Sequence, residues 1–219
     1  MYHTTGFTKA QITDLCARIN ATCAASGQRP WPPILGLFKS AVIALTYLRR
    51  NRVQAEIAET YDVSQSTISR AVTALTPLLG VVVAEYTPVA EDLDARHQHI
   101  VDGTLVWISD AIDGSRHDTF ALKESGVLLT MDPSLWIGDK GYVGNDMLTP
   151  IKKPAHRTLL DWEKEFNTQI NKVRYVIEQT IANFKTWRVL HTDYRRPLTS
   201  FRETISTVIS LHFYKIACE

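Results

Sequence analysis

The segment from Arg52 to Leu79, which reads RVQAEIAETYDVSQSTISRAVTALTPLL, restricts the fold of this chain more than any other part of the sequence. Apolar residues recur at a helical spacing in its first part and predict a helix from Gln54 to Tyr61. Asp62 and Val63 then predict a tight turn, with Val63 as an apolar plug. Ser64 is a natural N-cap for a second helix, because its hydroxyl can accept a backbone N–H. The segment therefore predicts two helices joined by a tight turn.

The second helix of this pair would begin with small polar side chains, as helices that read the major groove of DNA do. Gln65, Ser66 and Thr67 occupy its first turn, where Gln can pair with adenine while Ser and Thr tolerate either partner. Arg70 is expected to hold a backbone phosphate. The same role is expected for three basic residues that precede it, Arg49, Arg50 and Arg52. The composition favours a DNA-binding helix-turn-helix, and the alternative is a helical hairpin that serves only packing.

Three further helices are predicted in the N-terminal part of the chain. Apolar residues at helical spacing predict one over Thr8–Ser26. An almost wholly apolar stretch predicts another over Ile34–Arg50, which we expect to form the core of this half. Thr76 and Pro77 are typical of an N-cap and a first-turn proline, so a separate helix is predicted from there to about Tyr86.

Charge is distributed unevenly along the chain, although the net charge is only +1. Residues 1–90 contain eight Lys and Arg against five Asp and Glu, and residues 140–202 contain twelve against six, around an acidic centre. This distribution suits a polyanionic partner and a cation site between the two basic regions. The longest apolar stretch, residues 34–48, contains Lys39 and is short for a membrane span, so we expect a cytoplasmic protein with no membrane partner.

A long helix is predicted near the C-terminus, from Leu159 to Trp187, and it carries Arg174, Glu178 and Lys185. At ~100° per residue these three side chains fall within roughly 60° on one face. An acid flanked by two bases suits a metal ion with phosphate oxygens beside it. The alternative is a solvated stripe of ion pairs between neighbouring helical turns.

Two aspartates upstream of this helix lie in strand-like segments. One strand is predicted over His99–Ser109 and contains Asp102, and a second over Leu135–Asp139 ends in Asp139. Acids on two strands and a following helix can converge, and three carboxylates can hold a pair of Mg²⁺ or Mn²⁺ ions. The remaining predicted elements are a short helix, a short strand and a final amphipathic helix, over Arg116–Glu124, Leu148–Lys152 and Thr199–Cys218.

Four motifs occur in a fixed order: VDGT, GSRHD, WIGDKGY and NKVRYVIEQTIANFKTWRVL. With them the chain resembles, from about Pro33 onward, the DDE transposases of bacterial insertion sequences and their Harbinger-type relatives. The resemblance implies an α-rich α/β protein. Residues 1–90 would form a helical helix-turn-helix DNA-binding domain, and residues 91–219 a truncated ribonuclease-H-like α/β catalytic domain.

The resemblance also implies roles for individual residues. Asp102, Asp139 and Glu178 would form a catalytic triad that holds two Mg²⁺ or Mn²⁺ ions, and Arg174 and Lys185 would handle DNA phosphates beside it. The GSRHD residues His117 and Asp118 either line this site or form a helix-capping turn. The implied partners are double-stranded DNA, as terminal inverted repeats and target, and a second copy in a homodimer. The implied location is the bacterial nucleoid.

The interval after the first acid departs from the family pattern. A ribonuclease-H-like core begins with three antiparallel strands, which need roughly 20 residues or more. Gly103 to Asp113 is only 11 residues, so an internal deletion of about two strands is predicted between Leu105 and Val106. Such a loss would expose a sheet edge and displace Asp102, which favours impaired cleavage. Three outcomes stay open: an active transposase, a remnant that only binds element ends, and a chain without a stable C-terminal half.

Overall fold

A computed structural model of the chain describes residues 2–24, 27–88, 117–126, 129, 132–138 and 140–218. The α-helices of this part, in chain order, are α1 Tyr2–Thr5, α2 Lys9–Ala24, α3 Gly36–Arg50, α4 Gln54–Tyr61, α5 Gln65–Val82, α6 Asp118–Glu124, α7 Asp161–Phe184 and α8 Phe201–Ala217. None of these described helices is long and apolar enough to cross a membrane. The chain divides into two compact units. Met1–Thr87 and Phe184–Glu219 form the first, and Pro88–Asn183 form the second.

The first unit is built around α3, which is buried at every position from Ser40 to Leu48. This confirms the predicted core helix. It ends at Asn51, which takes a left-handed conformation (φ 47°) and donates its N–H to the Tyr47 carbonyl at 2.7 Å. Helix α2 packs against α3 and begins with a capping box, in which Thr8 and Gln11 each accept the other's backbone N–H.

The helix-turn-helix forms as predicted, and α4 has the predicted bounds. The chain leaves α4 at Asp62, which is left-handed (φ 52°), and the Val63 N–H donates to the Ala58 carbonyl at 3.1 Å. This pair of features reverses the chain direction and closes the end of the helix. Val63 packs against the core, as the predicted apolar plug should.

The predicted separate helix after Thr76 is wrong. Helix α5 continues without interruption through Pro77 to Val82, and only a short 3₁₀ turn follows at Ala84–Tyr86. The buried face of α5 recurs at helical spacing on both sides of Pro77, from Ile68 to Leu79. Packing of this face against α3 and α8 therefore outweighs the local cost of proline inside a helix.

The final helix α8 packs against α5 in the first unit. The two helices approach closely at Gly80, where an added Cβ would lie 2.6 Å from the Thr207 hydroxyl oxygen. That hydroxyl donates to the Thr76 carbonyl at 3.1 Å. The compact units therefore differ from the predicted division at residue 90, because the chain from Phe184 onward packs with the helix-turn-helix. The extent of the catalytic domain stays a prediction.

The second unit contains α6, α7 and the turns between them. Helix α6 confirms the predicted short helix and packs against the turn at Lys140–Tyr142. The segments predicted as the second and third strands meet at one parallel bridge, between Ile137 and Leu148. No longer strand occurs in the described residues, and the predicted strand over residues 99–109 lies outside them. The α-rich character is thus confirmed, and the ribonuclease-H-like sheet stays a prediction.

Helix α7 ends at Phe184, three residues before the predicted end. There the Trp187 N–H donates to the Phe184 carbonyl at 3.1 Å, and the Trp187 side chain is fully buried. Burial of this large ring turns the chain away from the helical path. Lys185 therefore lies beyond the helix, and of the three residues predicted to share one helical face only Arg174 and Glu178 belong to α7.

A buried carboxylate fixes the start of α7. The two Nη atoms of Arg157 donate to Glu163 at 2.6 and 2.7 Å, and the Leu160 N–H donates to it at 2.7 Å. The hydrogen bonds from Arg157, and then the one from Leu160, lower the pKa of Glu163 from 4.5 to about 2.

A low pH is therefore expected to lower the stability of the second unit, because Glu163 becomes protonated and loses its interaction with Arg157. Because the pKa is depressed in the folded state, this stabilisation is complete above about pH 4.5 and is lost as the pH falls towards 2. We expect the thermal midpoint, followed by circular dichroism, to fall across this window more steeply in the wild type than in Glu163→Gln. Glu165→Gln, at an exposed position of the same helix, should follow the wild type. Parallel curves for wild type and Glu163→Gln would contradict the assignment.

Candidate nucleic-acid interface

The first turn of α5 is fixed by its N-cap. Ser64 is extended, and its hydroxyl accepts the Thr67 N–H at 3.3 Å. The same oxygen lies 2.9 Å from the hydroxyls of both Ser66 and Thr67. Gln65 and Ser66 are exposed on the outside of this turn. Their side chains are therefore presented to solvent on a backbone that the cap holds in place.

Thr67 and Arg70 differ in exposure, although both are predicted to contact DNA. Thr67 is buried, and its hydroxyl is shared between the Ser64 cap and a long contact, 3.4 Å, with Nη2 of Arg70. Arg70 itself is exposed. Of the four side chains predicted to contact DNA, those of Gln65, Ser66 and Arg70 are therefore accessible. The fourth, Thr67, is buried and contacts the N-cap residue.

The basic end of α3, Arg49 and Arg50, lies in the same compact unit as the helix-turn-helix. The guanidinium of Arg49 stands over the Trp187 ring, 5.4 Å from its centroid, and donates to the Thr186 hydroxyl. Burial lowers the pKa of Arg49, and the positive charge of Arg50 lowers it further. Arg50 is exposed and donates to the His3 carbonyl. Arg49 is therefore partly committed to packing, whereas Arg50 faces solvent.

The chain after α7 contributes further basic residues beside the end of α3. Lys185, Arg188 and His191 line one cavity together with Arg49 and Arg50. The sequence patterns did not predict this juxtaposition, because no local spacing connects residue 50 with residue 188. The one signal available was the excess of basic residues between positions 140 and 202.

The predicted catalytic residues are only partly among the described ones. Asp102 and Asp139 lie outside the described residues, and so does the side chain of Arg174. Glu178 is exposed on α7, and Lys185 is exposed just past its end. The triad accordingly stays a prediction.

The GSRHD residues stand at the start of α6. His117 is exposed and occupies the N-cap position, without a side-chain hydrogen bond to the helix. Asp118 is the first helical residue, and its side chain is not among those described. Within the part of the chain that the structure describes, no group of three His, Cys, Asp or Glu could hold a metal ion.

Two family profiles match this chain, one after the other. The profile described as the helix-turn-helix of DDE superfamily endonuclease matches residues 35–84. The profile described as DDE superfamily endonuclease matches residues 98–212. The first covers α3, α4 and α5, and the second begins after them.

Two curated relatives are similar to the chain. A putative transposase for insertion sequence element IS112 from Streptomyces albus G is 27% identical over 189 residues, which cover 74% of this chain and 73% of the relative. A probable transposase for insertion sequence element IS702 from Microchaete diplosiphon is 31% identical over 109 residues, 48% of this chain and 39% of the relative. The 189 aligned positions exceed 74% of a 219-residue chain, so the first alignment leaves gaps on this chain's side. No solved structure matches the chain.

Proposed function

Because the chain belongs to the DDE superfamily endonucleases, in the group of insertion-sequence transposases, we propose that it binds the terminal inverted repeats of its element and cuts the DNA there. The order of the two matched segments supports this best. A helix-turn-helix with an accessible recognition helix precedes a segment of endonuclease sequence, which is the arrangement that a DNA-end-cutting protein needs.

DNA reading is assigned to the start of α5. Gln65 and Ser66 are exposed in the first turn, where base contacts are made by helices of this kind. Gln can pair with adenine through two hydrogen bonds, and the Ser hydroxyl can donate or accept. Arg70, one turn further, would hold a backbone phosphate and fix the helix in its register.

Cleavage is assigned to Asp102, Asp139 and Glu178. DDE superfamily endonucleases require a divalent metal, and carboxylate oxygens are the ligands that Mg²⁺ and Mn²⁺ prefer. Such ions, when bound, supply activation of water or of a 3′-hydroxyl and stabilisation of the leaving oxygen. We propose that these three carboxylates hold them.

Other residues are assigned to positioning the DNA. Arg174 and Lys185 would hold phosphate oxygens near the third acid, where a guanidinium or ammonium group offsets the negative charge. His117 and Asp118 would line the same site. In this proposal two copies of the chain act as a homodimer on the element ends and join them to target DNA at the nucleoid.

DNA binding without cleavage is the second candidate function. The 11 residues from Gly103 to Asp113 are too few for the remaining strands of a ribonuclease-H-like core, which supports an internal deletion. The deletion would fall between Leu105 and Val106. A displaced Asp102 would then weaken the metal site while leaving the helix-turn-helix unaffected.

A nicking assay separates the two candidates. Supercoiled plasmid that carries the element ends is incubated with the protein and Mg²⁺ or Mn²⁺. We expect wild type and Glu165→Gln to convert it to nicked circles and Glu178→Gln to leave it at background. Glu165 is the matched control because it is an exposed glutamate of the same helix.

Absence of nicking in all three proteins would reject the proposed cleavage. Gel shifts with the same ends then decide on binding alone. Specific binding that is abolished in Gln65→Ala would support the second candidate, and binding without any preference for the ends would reject both.

A further inference from the structure

A cavity of about 390 Å³ lies at the basic end of α3, within the unit formed by residues 1–87 and 184–219. It is lined mainly by basic side chains, which are His3, Arg49, Arg50, Lys185, Arg188 and His191. The four Arg and Lys residues come from two segments that are far apart in sequence. The described lining includes no aspartate or glutamate, so the positive charge of this cavity is not balanced by its own walls.

The cavity is held in shape by the buried residues beside it. Trp187 and Val189 are buried in the core, which leaves Arg188 between them exposed. The side-chain amide of Asn51, at the end of α3, donates to the Thr192 hydroxyl at 2.7 Å and to the Asp193 carbonyl at 2.8 Å. These hydrogen bonds tie the chain after Arg188 to the end of α3. The basic groups therefore do not have to be brought together when a ligand binds, which lowers the cost of binding.

The chemistry of the lining selects an anion with several oxygens. Guanidinium groups pair with phosphate through two parallel hydrogen bonds, and an ammonium group adds a point charge. Burial, and then the positive charge of Arg50, lowers the pKa of Arg49, so an anion bound beside these two groups would offset both unfavourable effects on the charged guanidinium. Arg50, Lys185, Arg188 and His191 are all accessible to solvent, which suits a long polyanion better than an enclosed small ion.

The position of the cavity in the fold favours DNA as that polyanion. Arg50 ends α3, and only three residues separate α3 from α4, the first helix of the helix-turn-helix. The first helix of such a motif crosses the DNA backbone while the second enters the groove. We propose that this cavity binds backbone phosphates of double-stranded DNA and forms, with the recognition helix, a two-part DNA-binding surface. This inference rests on the proposed function.

Salt dependence of binding tests the proposal in the full chain. Binding to a fluorescent duplex with an element end and to a scrambled duplex is measured by anisotropy across a KCl series. The variants are Arg50→Gln and Arg188→Gln. Lys185 is left unchanged because a phosphate role is already proposed for it. The matched control is Lys39→Gln, an exposed lysine on α3 outside the cavity lining.

Each cavity variant is expected to weaken binding to both duplexes equally, by about tenfold. It should also reduce the slope of log K, the binding constant, against log salt concentration, by about 0.9 for each phosphate that the protein no longer neutralises. Lys39→Gln should keep the wild-type slope. Arg188→Lys should also keep it, because the charge remains. Thermal midpoints equal to that of the wild type identify the variants that are folded, and Arg50→Gln and Arg188→Gln test the cavity independently.

Wild-type slopes in folded Arg50→Gln and Arg188→Gln would overturn the cavity as a DNA site while leaving DNA binding by the helix-turn-helix intact. Stabilisation of the wild type by inorganic phosphate that disappears in the variants, without a change in slope, would assign the cavity to a small anion and also overturn it. Failure of the wild type to bind either duplex would overturn both this inference and the proposed function.

Discussion

A chain that ends at Asn183 is expected to lose the cooperative unfolding of its helix-turn-helix unit. The removed segment supplies five side chains to the same core as α2, α3 and α5, namely Trp187, Val189, Val208, Leu211 and Tyr214. Complete burial of one such side chain contributes roughly 1.5–3 kcal/mol. The whole stability of a small domain is only about 5–15 kcal/mol. Loss of the segment therefore removes an amount comparable to the total.

Amide hydrogen exchange and circular dichroism measure this effect. We expect α3 and α5 to exchange without protection in the truncated chain and its urea transition to become broad and non-cooperative. A chain that ends at Ala217, the last residue of α8, is the matched control and should unfold like the wild type. Slow exchange of α3 in the chain that ends at Asn183 would show that residues 1–87 fold alone.

Substitution Trp187→Ala is expected to lower the free energy of unfolding by roughly 3–5 kcal/mol, the range for large aromatic residues in a packed core. Trp187 is fully buried, with Phe7 at a centroid distance of 6.0 Å on one side and the Arg49 guanidinium over its ring. Its indole N–H finds no hydrogen-bond partner among the described groups. The cost therefore arises from the cavity that the ring would leave in the core, and Trp187→Phe should recover a large part of it.

Trp162→Ala is the matched control for this measurement. Trp162 is 62% exposed, so its removal should change the free energy of unfolding by only about 0.5 kcal/mol. Urea denaturation followed by far-ultraviolet circular dichroism gives both values. Equal effects of the two substitutions would mean that Trp187 does not occupy the core.

The two stability predictions also bear on DNA binding. Arg49 keeps its place through the Trp187 ring and the Thr186 hydroxyl, so the basic cavity depends on the same segment as the core. Removal of the chain after Asn183 should therefore weaken DNA binding even if α4 and α5 retained some helix. In this fold the helix-turn-helix is one part of a unit whose other part lies about a hundred residues later in the sequence.

Local signals in the sequence predicted most of the helices. Ser64 as N-cap, the turn at Asp62 and the apolar face of α2 each depend on residues a few positions apart, and all are found in the structure. Hydrogen bonds and side-chain periodicity within one helix are local, so a single sequence contains the information for them.

The errors occurred where packing between distant segments decided the outcome. Pro77 favours a new helix locally, but the continuous buried face of α5 carries the helix through it. Trp187 fits the end of a helix by pattern, but burial of its ring ends α7 at Phe184 and leaves Lys185 outside.

The sequence by itself determined the family of the protein, the helix-turn-helix and the residue types offered at the start of the recognition helix, because motif order and helical spacing are properties of the chain alone. Only the tertiary structure decided that residues 184–219 complete the unit that contains the helix-turn-helix and that Arg188 joins Arg49 and Arg50 around one cavity. The physical reason is that burial of apolar faces is non-directional and acts between any segments that fit. The spacing of residues within one segment does not predict which distant segments will pack together.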